Sequence, residues 1–128
     1  MVITRVFEIK TDGQATLIDI TGQVERLLRS SRVADGVLTV FIPGNTVALT
    51  SLTCEGGNSA SQEALWKKSP LLADPALDTQ MKTALIGTSL PLPFSRGQLL
   101  LNTWQQIVLV DFGQGERWHH VTVQIQGE

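Results

Sequence analysis

The sequence has little of what several large classes of protein require. It contains one cysteine, Cys54, so no disulfide can form within the chain. No apolar run approaches the roughly 18 residues that a membrane-spanning helix needs, and residues 1–5 lack the pattern of a signal peptide. These absences predict a soluble, cytoplasmic protein without a membrane partner.

Charge is also scarce. Charged residues make up 17% of the chain, and 10 Lys and Arg stand against 12 Asp and Glu, which gives a net charge of -2. A nucleic acid held through its phosphates needs clustered basic side chains, so we expect no nucleic-acid partner. The 128 residues should form one domain, 1–128, that buries a core without disulfides. A sparsely charged surface is compatible with other subunits covering part of it.

Residue types that carry chemistry are thinly spread. Zinc or iron would need about three or four His, Cys, Asp or Glu ligands, but His119 and His120 are adjacent on a predicted strand and so point to opposite faces. Cys54 has no base nearby in the sequence, and a free cysteine is usually a small buried apolar residue. Gly56-Gly57 is not followed by Lys-Ser or Lys-Thr, so there is no P-loop. We therefore expect no metal site built on histidines.

Alternating and apolar runs predict most of the chain to be strand. Residues 3–9 place Ile3, Phe7 and Ile9 on one side, and the Asp12-Gly13 turn should fold them back onto residues 15–18 as a hairpin. Further strands are predicted at 36–42, 47–52, 107–110 and 118–126, with an edge or extended segment at 90–94, whose prolines cannot donate to a ladder. A turn is expected at 113–117.

Two segments have the periodicity of helices. Thr21 is predicted as an N-cap, followed by an apolar stripe that begins at Ile20 and includes Val24 and Leu28. Asp74-Pro75 predicts a second helix start, with Leu77, Met81 and Leu85 as its stripe. Strands joined by short turns and kept apart from two or three helices predict an α+β fold with a mainly antiparallel sheet or sandwich.

Polar residues cluster at two turns. The segment 97–110, GQLLLNTWQQIVLV, joins two apolar runs through residues 102–106. Within it, Trp104 and Gln105 could line a pocket, or Trp104 could be a core ring flanked by turn residues. The segment 43–46, which includes Asn45 and Thr46, could offer backbone N–H groups to an anion or form a tight turn.

Several segments together resemble the YjbQ-like family, to which secondary thiamine-phosphate synthase activity is attributed. The similar blocks are LIGTSLPLPF at 85–94, GQL at 97–99, TWQQI at 103–107, VTVQIQG at 121–127 and FIPGNTVALT at 41–50. The resemblance implies a homotrimer with pockets between subunits, where histidines and acidic residues hold a metal or an anion. It also implies weak thiamine-phosphate synthase activity and leaves the cofactor unidentified.

The chain departs from the family pattern at several site positions. Gly44 stands where many members have histidine, and Asp78 and Gln80 stand at the positions of a histidine motif. Thr53 replaces an acidic residue, with Glu55 two positions further on. The resemblance therefore implies Glu55, Asp78 and Gln80 as catalytic candidates. It also implies four ligand-binding candidates: Asn45, Thr46, Trp104 and Gln105.

Two functions remain open at this point. In the first, the chain is an enzyme that acts on small phosphorylated ligands at a pocket between subunits. In the second, it is a trimeric binding or structural protein that has kept the fold and lost the histidine site.

Overall fold

The computed structural model describes residues 1–13, 16–53, 74 and 76–128. Predictions that fall on residues 54–73, including those for Cys54 and Glu55, lie outside the described residues. The described elements, in chain order, are β1 (Val2–Gly13), β2 (Thr16–Asp19), α1 (Thr21–Ser31), β3 (Gly36–Phe41), β4 (Val47–Thr53), α2 (Thr79–Ile86), β5 (Ser89–Ser95), β6 (Gln98–Leu99), β7 (Gln105–Asp111) and β8 (Gln114–Gly127).

The strands form two antiparallel sheets. One has five strands in the order β1-β8-β3-β5-β6, and the other has three in the order β2-β7-β4. Apolar side chains from both sheets and from α1 form one core, which includes Leu38, Val123 and Leu109. The predicted α+β class with a mainly antiparallel sheet is confirmed. No helix in the described part of the chain is both long and apolar enough to cross a membrane.

The predicted hairpin between β1 and β2 is wrong. β1 pairs along its length with β8, whereas β2 pairs with β7 in the other sheet. β1 ends at Gly13, whose φ is 78°. A Cβ atom there would lie 2.4 Å from the Gly113 carbonyl oxygen, so this glycine permits a close approach of two backbones. Asp12-Gly13 is a turn signal, but the sequence could not show which strand follows as partner.

Helix α1 agrees with its apolar pattern, and α2 does not. Val24 and Leu28 of α1 are buried, as predicted. In contrast, α2 begins at Thr79 instead of following Asp74, and Met81 and Leu85 of its predicted stripe are 52% and 61% exposed. The C-terminal end of α2 is joined to β4, because Leu49 N–H donates to the Gly87 carbonyl.

The remaining strand predictions differ mainly at their ends. The turn expected at 113–117 is wrong, because β8 begins at Gln114 and extends the predicted final strand. β5 pairs fully with β3 but meets only the two residues of β6 on its other side, so its exposed prolines lie where few ladder bonds are needed. The buried side chains of β8 are Val121, Val123 and Ile125, as the alternation predicted.

Candidate functional site

The β4–β7 strand pair determines where the candidate ligand-binding residues lie. Thr53 pairs with Gln105 at one end of this pair, and Val47 pairs with Asp111 at the other. Six residue steps of a strand separate the two ends by about 20 Å. Thr46 therefore lies about that far from Gln105, and one copy of the chain does not bring the four candidates together. We refer to these as the Gln105 end and the Asp111 end.

At the Gln105 end, the side chain of Gln105 holds the turn before β7. Its Oε1 accepts a hydrogen bond from Asn102 N–H at 3.2 Å, and its Nε2 donates to Ser51 Oγ on β4 at 3.1 Å. The backbone N–H of Gln105 also donates to the Asn102 carbonyl at 3.1 Å. Because both ends of this amide are engaged, Gln105 positions the turn and its neighbour Trp104.

Trp104 is not a core residue. Its side chain is 46% exposed at the tip of this turn, which leaves part of the indole available to a ligand or to another chain. Two residues further on, Gln106 has a buried Oε1 atom that finds no hydrogen-bond partner among the described residues. Buried amide oxygens are normally paired, so this atom marks a second polar group at the same end of the sheet that the sequence did not single out.

At the Asp111 end, the segment 43–46 forms a connection whose backbone is used within the fold. Thr46 accepts a hydrogen bond at its carbonyl from Phe112 N–H at 2.7 Å, and its side chain packs closely against Gly113. Of the two interpretations of this segment, the tight turn describes the contacts of Thr46. Asn45 is exposed and makes no hydrogen bond to another described residue.

A buried polar cluster that the sequence analysis missed lies at the same end. Asp111 is fully buried and accepts hydrogen bonds from the Thr11 hydroxyl, from Gly113 N–H at 2.8 Å and from His119 Nε2 at 3.1 Å. Nε2 also lies 2.9 Å from Thr11 Oγ1. Since Thr11 gives its proton to Asp111, its oxygen must accept from Nε2, and that nitrogen therefore carries a hydrogen.

The Thr11–Asp111–His119 cluster joins strands; it is not an open site. It connects β1, β7 and β8, and both oxygens of the carboxylate are occupied by protein donors. Strand alternation could have identified it, because Asp111 shares a face with Leu109 and His119 shares one with Val121. The side chain of His119 is 11% exposed and packs within this cluster.

The structure assigns Asp78 a local role. Asp78 is the N-cap of α2, where its Oδ1 accepts from Met81 N–H at 2.8 Å, and the side chain of Gln80 is exposed on the first turn. Glu55 lies outside the described residues. Within the described ranges, no group of three His, Cys, Asp or Glu side chains could hold a metal ion.

Comparison with known sequences gives one family. The model of a family described as "UPF0047 protein YjbQ-like" matches residues 5–128. A UPF0047 protein of Archaeoglobus fulgidus is 33% identical over 125 residues, which cover 90% of this chain and 94% of that protein. The UPF0047 protein YugU of Bacillus subtilis is 24% identical over 132 residues, covering 96% of this chain and 98% of its own.

Solved structures share the fold. An uncharacterized conserved protein of the yjbq/upf0047 family from Clostridium acetobutylicum has a TM-score of 0.82 at 26% identity, covering 95% of this chain and 99% of its own. A YbjQ-like protein of unknown function from Sulfolobus solfataricus has a TM-score of 0.77 at 25% identity, covering all of both chains. These similarities extend over nearly the whole chain.

Proposed function

The chain belongs to the UPF0047 YjbQ-like family, as its motifs predicted, and from this premise we propose that it is a self-associating protein that binds a small ligand between copies. The assembly is a homotrimer, and the ligand is a small phosphorylated or heterocyclic molecule. The observation that carries the proposal is an uncharged, exposed face of the five-stranded sheet.

That face consists of three rows of side chains across four neighbouring strands. The register places Val6, Thr122, Phe41 and Ser89 in one row, and the next two rows follow at steps of two residues. The residues of this uncharged sheet face are Val2, Thr4, Val6, Val37, Thr39, Phe41, Ser89, Pro91, Pro93, Thr122, Gln124 and Gln126.

The composition of the uncharged sheet face favours contact with another protein surface. Val6 is 55% exposed and Phe41 is 41% exposed, and the charged side chains of β1 on this side, Glu8 and Lys10, begin only beyond the row that contains Val6. A sheet face that is exposed to water usually carries charged and strongly polar side chains, whereas subunit interfaces contain few charged residues. Burying apolar area here would stabilise an assembly by about 25 cal/mol per Å² before association costs.

The positions of the ligand-binding candidates also support a pocket between copies. Asn45 and Thr46 lie about 20 Å from Trp104 and Gln105 along the β4–β7 pair. A small ligand cannot touch both groups on one copy, so any pocket that uses all four must combine the Asp111 end of one copy with the Gln105 end of another. Trp104 would then contribute its exposed indole as a stacking surface for a heterocycle.

Size measurement tests the assembly. We expect multi-angle light scattering at micromolar concentration to give three times the mass of one chain, and the double variant Val6→Glu with Phe41→Glu to shift it to the monomer, because each substitution places a charge in the interface. Leu100→Glu, an exposed apolar residue outside the face, is the matched control and should leave the trimer intact. A wild-type monomer would refute the proposal.

A thiamine-phosphate-synthase-type reaction is the second candidate, and the half-exposed Trp104 favours it because a ring there could stack on a heterocyclic substrate. Glu55, Asp78 and Gln80 would be its catalytic groups. In this reaction the thiazole nitrogen displaces diphosphate from the methylene carbon of the pyrimidine, so charge on the leaving group must be offset. The pure protein should be incubated with pyrimidine diphosphate and thiazole phosphate, with and without Mg²⁺. Absence of the product under both conditions excludes this reaction and leaves the binding function.

A further inference from the structure

A groove with three arginines lies between the end of α1 and the β5–β6 turn. Its volume is about 490 Å³, within the range of small-molecule sites, and its lining includes Leu28, Arg29, Arg32, Val33 and Arg96. The two turns are fixed to each other, because Gly97 N–H donates to the Ala34 carbonyl at 2.8 Å and Ser95 Oγ donates to Asp35 Oδ1 at 2.9 Å. The groove is therefore a built feature of the fold.

The three guanidinium groups have no partner within the described residues. No hydrogen bond or ion pair joins the side chain of Arg29, Arg32 or Arg96 to another described group. The nearest carboxylate in sequence, Asp35, already accepts from Ser95 Oγ and from Arg96 N–H. Three positive charges thus line one groove of a chain whose net charge is -2.

The arginines are not needed to complete the end of the helix. The hydroxyl groups of Ser30 and Ser31 donate to the carbonyls of Leu27 and Leu28, and Arg32 N–H donates to the Arg29 carbonyl. The carbonyls of Leu28 and Arg29 in the last turn of α1 are therefore paired without a guanidinium group. Within the described residues, these exposed side chains therefore remain available to a ligand.

Two of the arginines occupy backbone positions where other residues are usual. Arg32 has a φ of 61° and Arg96 has a φ of 54°, which is the left-handed region that favours glycine and asparagine. The turns themselves would be formed more readily by those residues. Both arginines border the same groove.

We propose that this arginine groove binds the phosphate of a small phosphorylated molecule. The forked donors of arginine match phosphate oxygens, and three of them offset a phosphate that carries two or more negative charges. The buried side chains of Leu28 and Val33 form an apolar floor for the rest of the ligand. None of the lining residues belongs to the candidate site, so the proposal goes beyond the proposed function and requires neither turnover nor a subunit pocket.

Titration calorimetry with inorganic pyrophosphate at constant ionic strength tests the groove. We expect binding to the wild type, and a loss of roughly tenfold or more in affinity for the double variant Arg32→Asn with Arg96→Asn, because two charged hydrogen-bond donors are removed. Asparagine tolerates the left-handed backbone at both positions. Arg26→Gln is the matched control, since this exposed arginine of α1 does not line the groove, and its affinity should stay within about twofold.

The outcomes separate the groove from the proposed function. The proposal is overturned if pyrophosphate does not bind at millimolar concentration, if the double variant binds like the wild type, or if Arg26→Gln loses as much. Citrate binding as tightly as pyrophosphate would overturn the assignment to phosphate. Light scattering of the same double variant should still give the wild-type mass. Loss of pyrophosphate binding and loss of self-association are therefore detected by different measurements.

Discussion

Replacing Asp111 with alanine tests whether the buried polar cluster stabilises the fold. The substitution leaves Gly113 N–H without its acceptor and removes the acceptor of the Thr11 hydroxyl, and Thr11 is itself 1% exposed. Each buried donor that loses its partner costs about 1–3 kcal/mol. The contact of 2.9 Å between Thr11 and His119 can persist and compensates in part. We therefore expect the free energy of unfolding to fall by about 3–5 kcal/mol.

Asp111→Asn should cost less than Asp111→Ala. Its remaining oxygen can still accept from Gly113 N–H, but its amide presents hydrogens to Thr11 and His119, where the carboxylate presented an acceptor. We expect a loss of about 1–3 kcal/mol. The control is Asp12→Asn, an exposed position on the same strand as Thr11, which should change the stability by no more than about 0.5 kcal/mol.

Urea unfolding followed by circular dichroism measures these differences. All variants must be compared at one protein concentration, because association of folded copies would add to the apparent stability. If Asp111→Ala unfolds within about 1 kcal/mol of the wild type, or no more easily than Asp12→Asn, the cluster does not hold the three strands together and the reasoning is refuted.

Three further predictions follow from single contacts, and each is read from the free energy of unfolding. Gly13→Ala should destabilise the fold by more than about 2 kcal/mol, since its Cβ would lie 2.4 Å from a backbone oxygen, whereas Gly22→Ala in α1 has open space and should stabilise by about 0.5–1 kcal/mol; equal effects would contradict this. Gln105→Leu removes the hydrogen bond to Ser51 and should cost about 1–2 kcal/mol, and a neutral result would mean that this amide does not hold the turn. Asp78→Ala removes the N-cap of α2 and should cost about 1 kcal/mol, with Asp78→Asn close to the wild type; equal losses in both would contradict the capping role.

Much of the fold was accessible from the sequence because local patterns fix which side of an element is buried. The alternation in β8 and the stripe of α1 predicted the core positions Val123 and Leu28. What the pattern could not give was the partner of each strand. β1 and β2 are adjacent in sequence with a turn signal between them, yet they lie in different sheets, because pairing β1 with β8 packs Ile3 and Phe7 against the core.

The candidate site was accessible only in part. The sequence drew attention to the turn that carries Trp104, but the hydrogen bonds that employ Gln105 depend on Ser51, which is 54 residues away. The cluster around Asp111 was not predicted, because its residues were considered only by their type. Their positions in the alternating pattern of the strands place them on buried faces and would have identified them. The prediction that Met81 and Leu85 are buried was wrong because the buried residue of α2 is Thr83, which lies off the apolar stripe.

The pairing of β1 with β8 has a consequence for how the protein is made. Thr4 and Gln124 are 120 residues apart, yet they hydrogen-bond across this pair. A ribosome adds about 5–20 residues per second, so the first strand waits roughly ten seconds for the strand that covers its apolar side. During that interval Ile3, Phe7 and Ile9 are exposed and can associate with other unfolded chains. A chaperone that binds unfolded segments would protect this strand most, and a pause in translation would prolong its exposure.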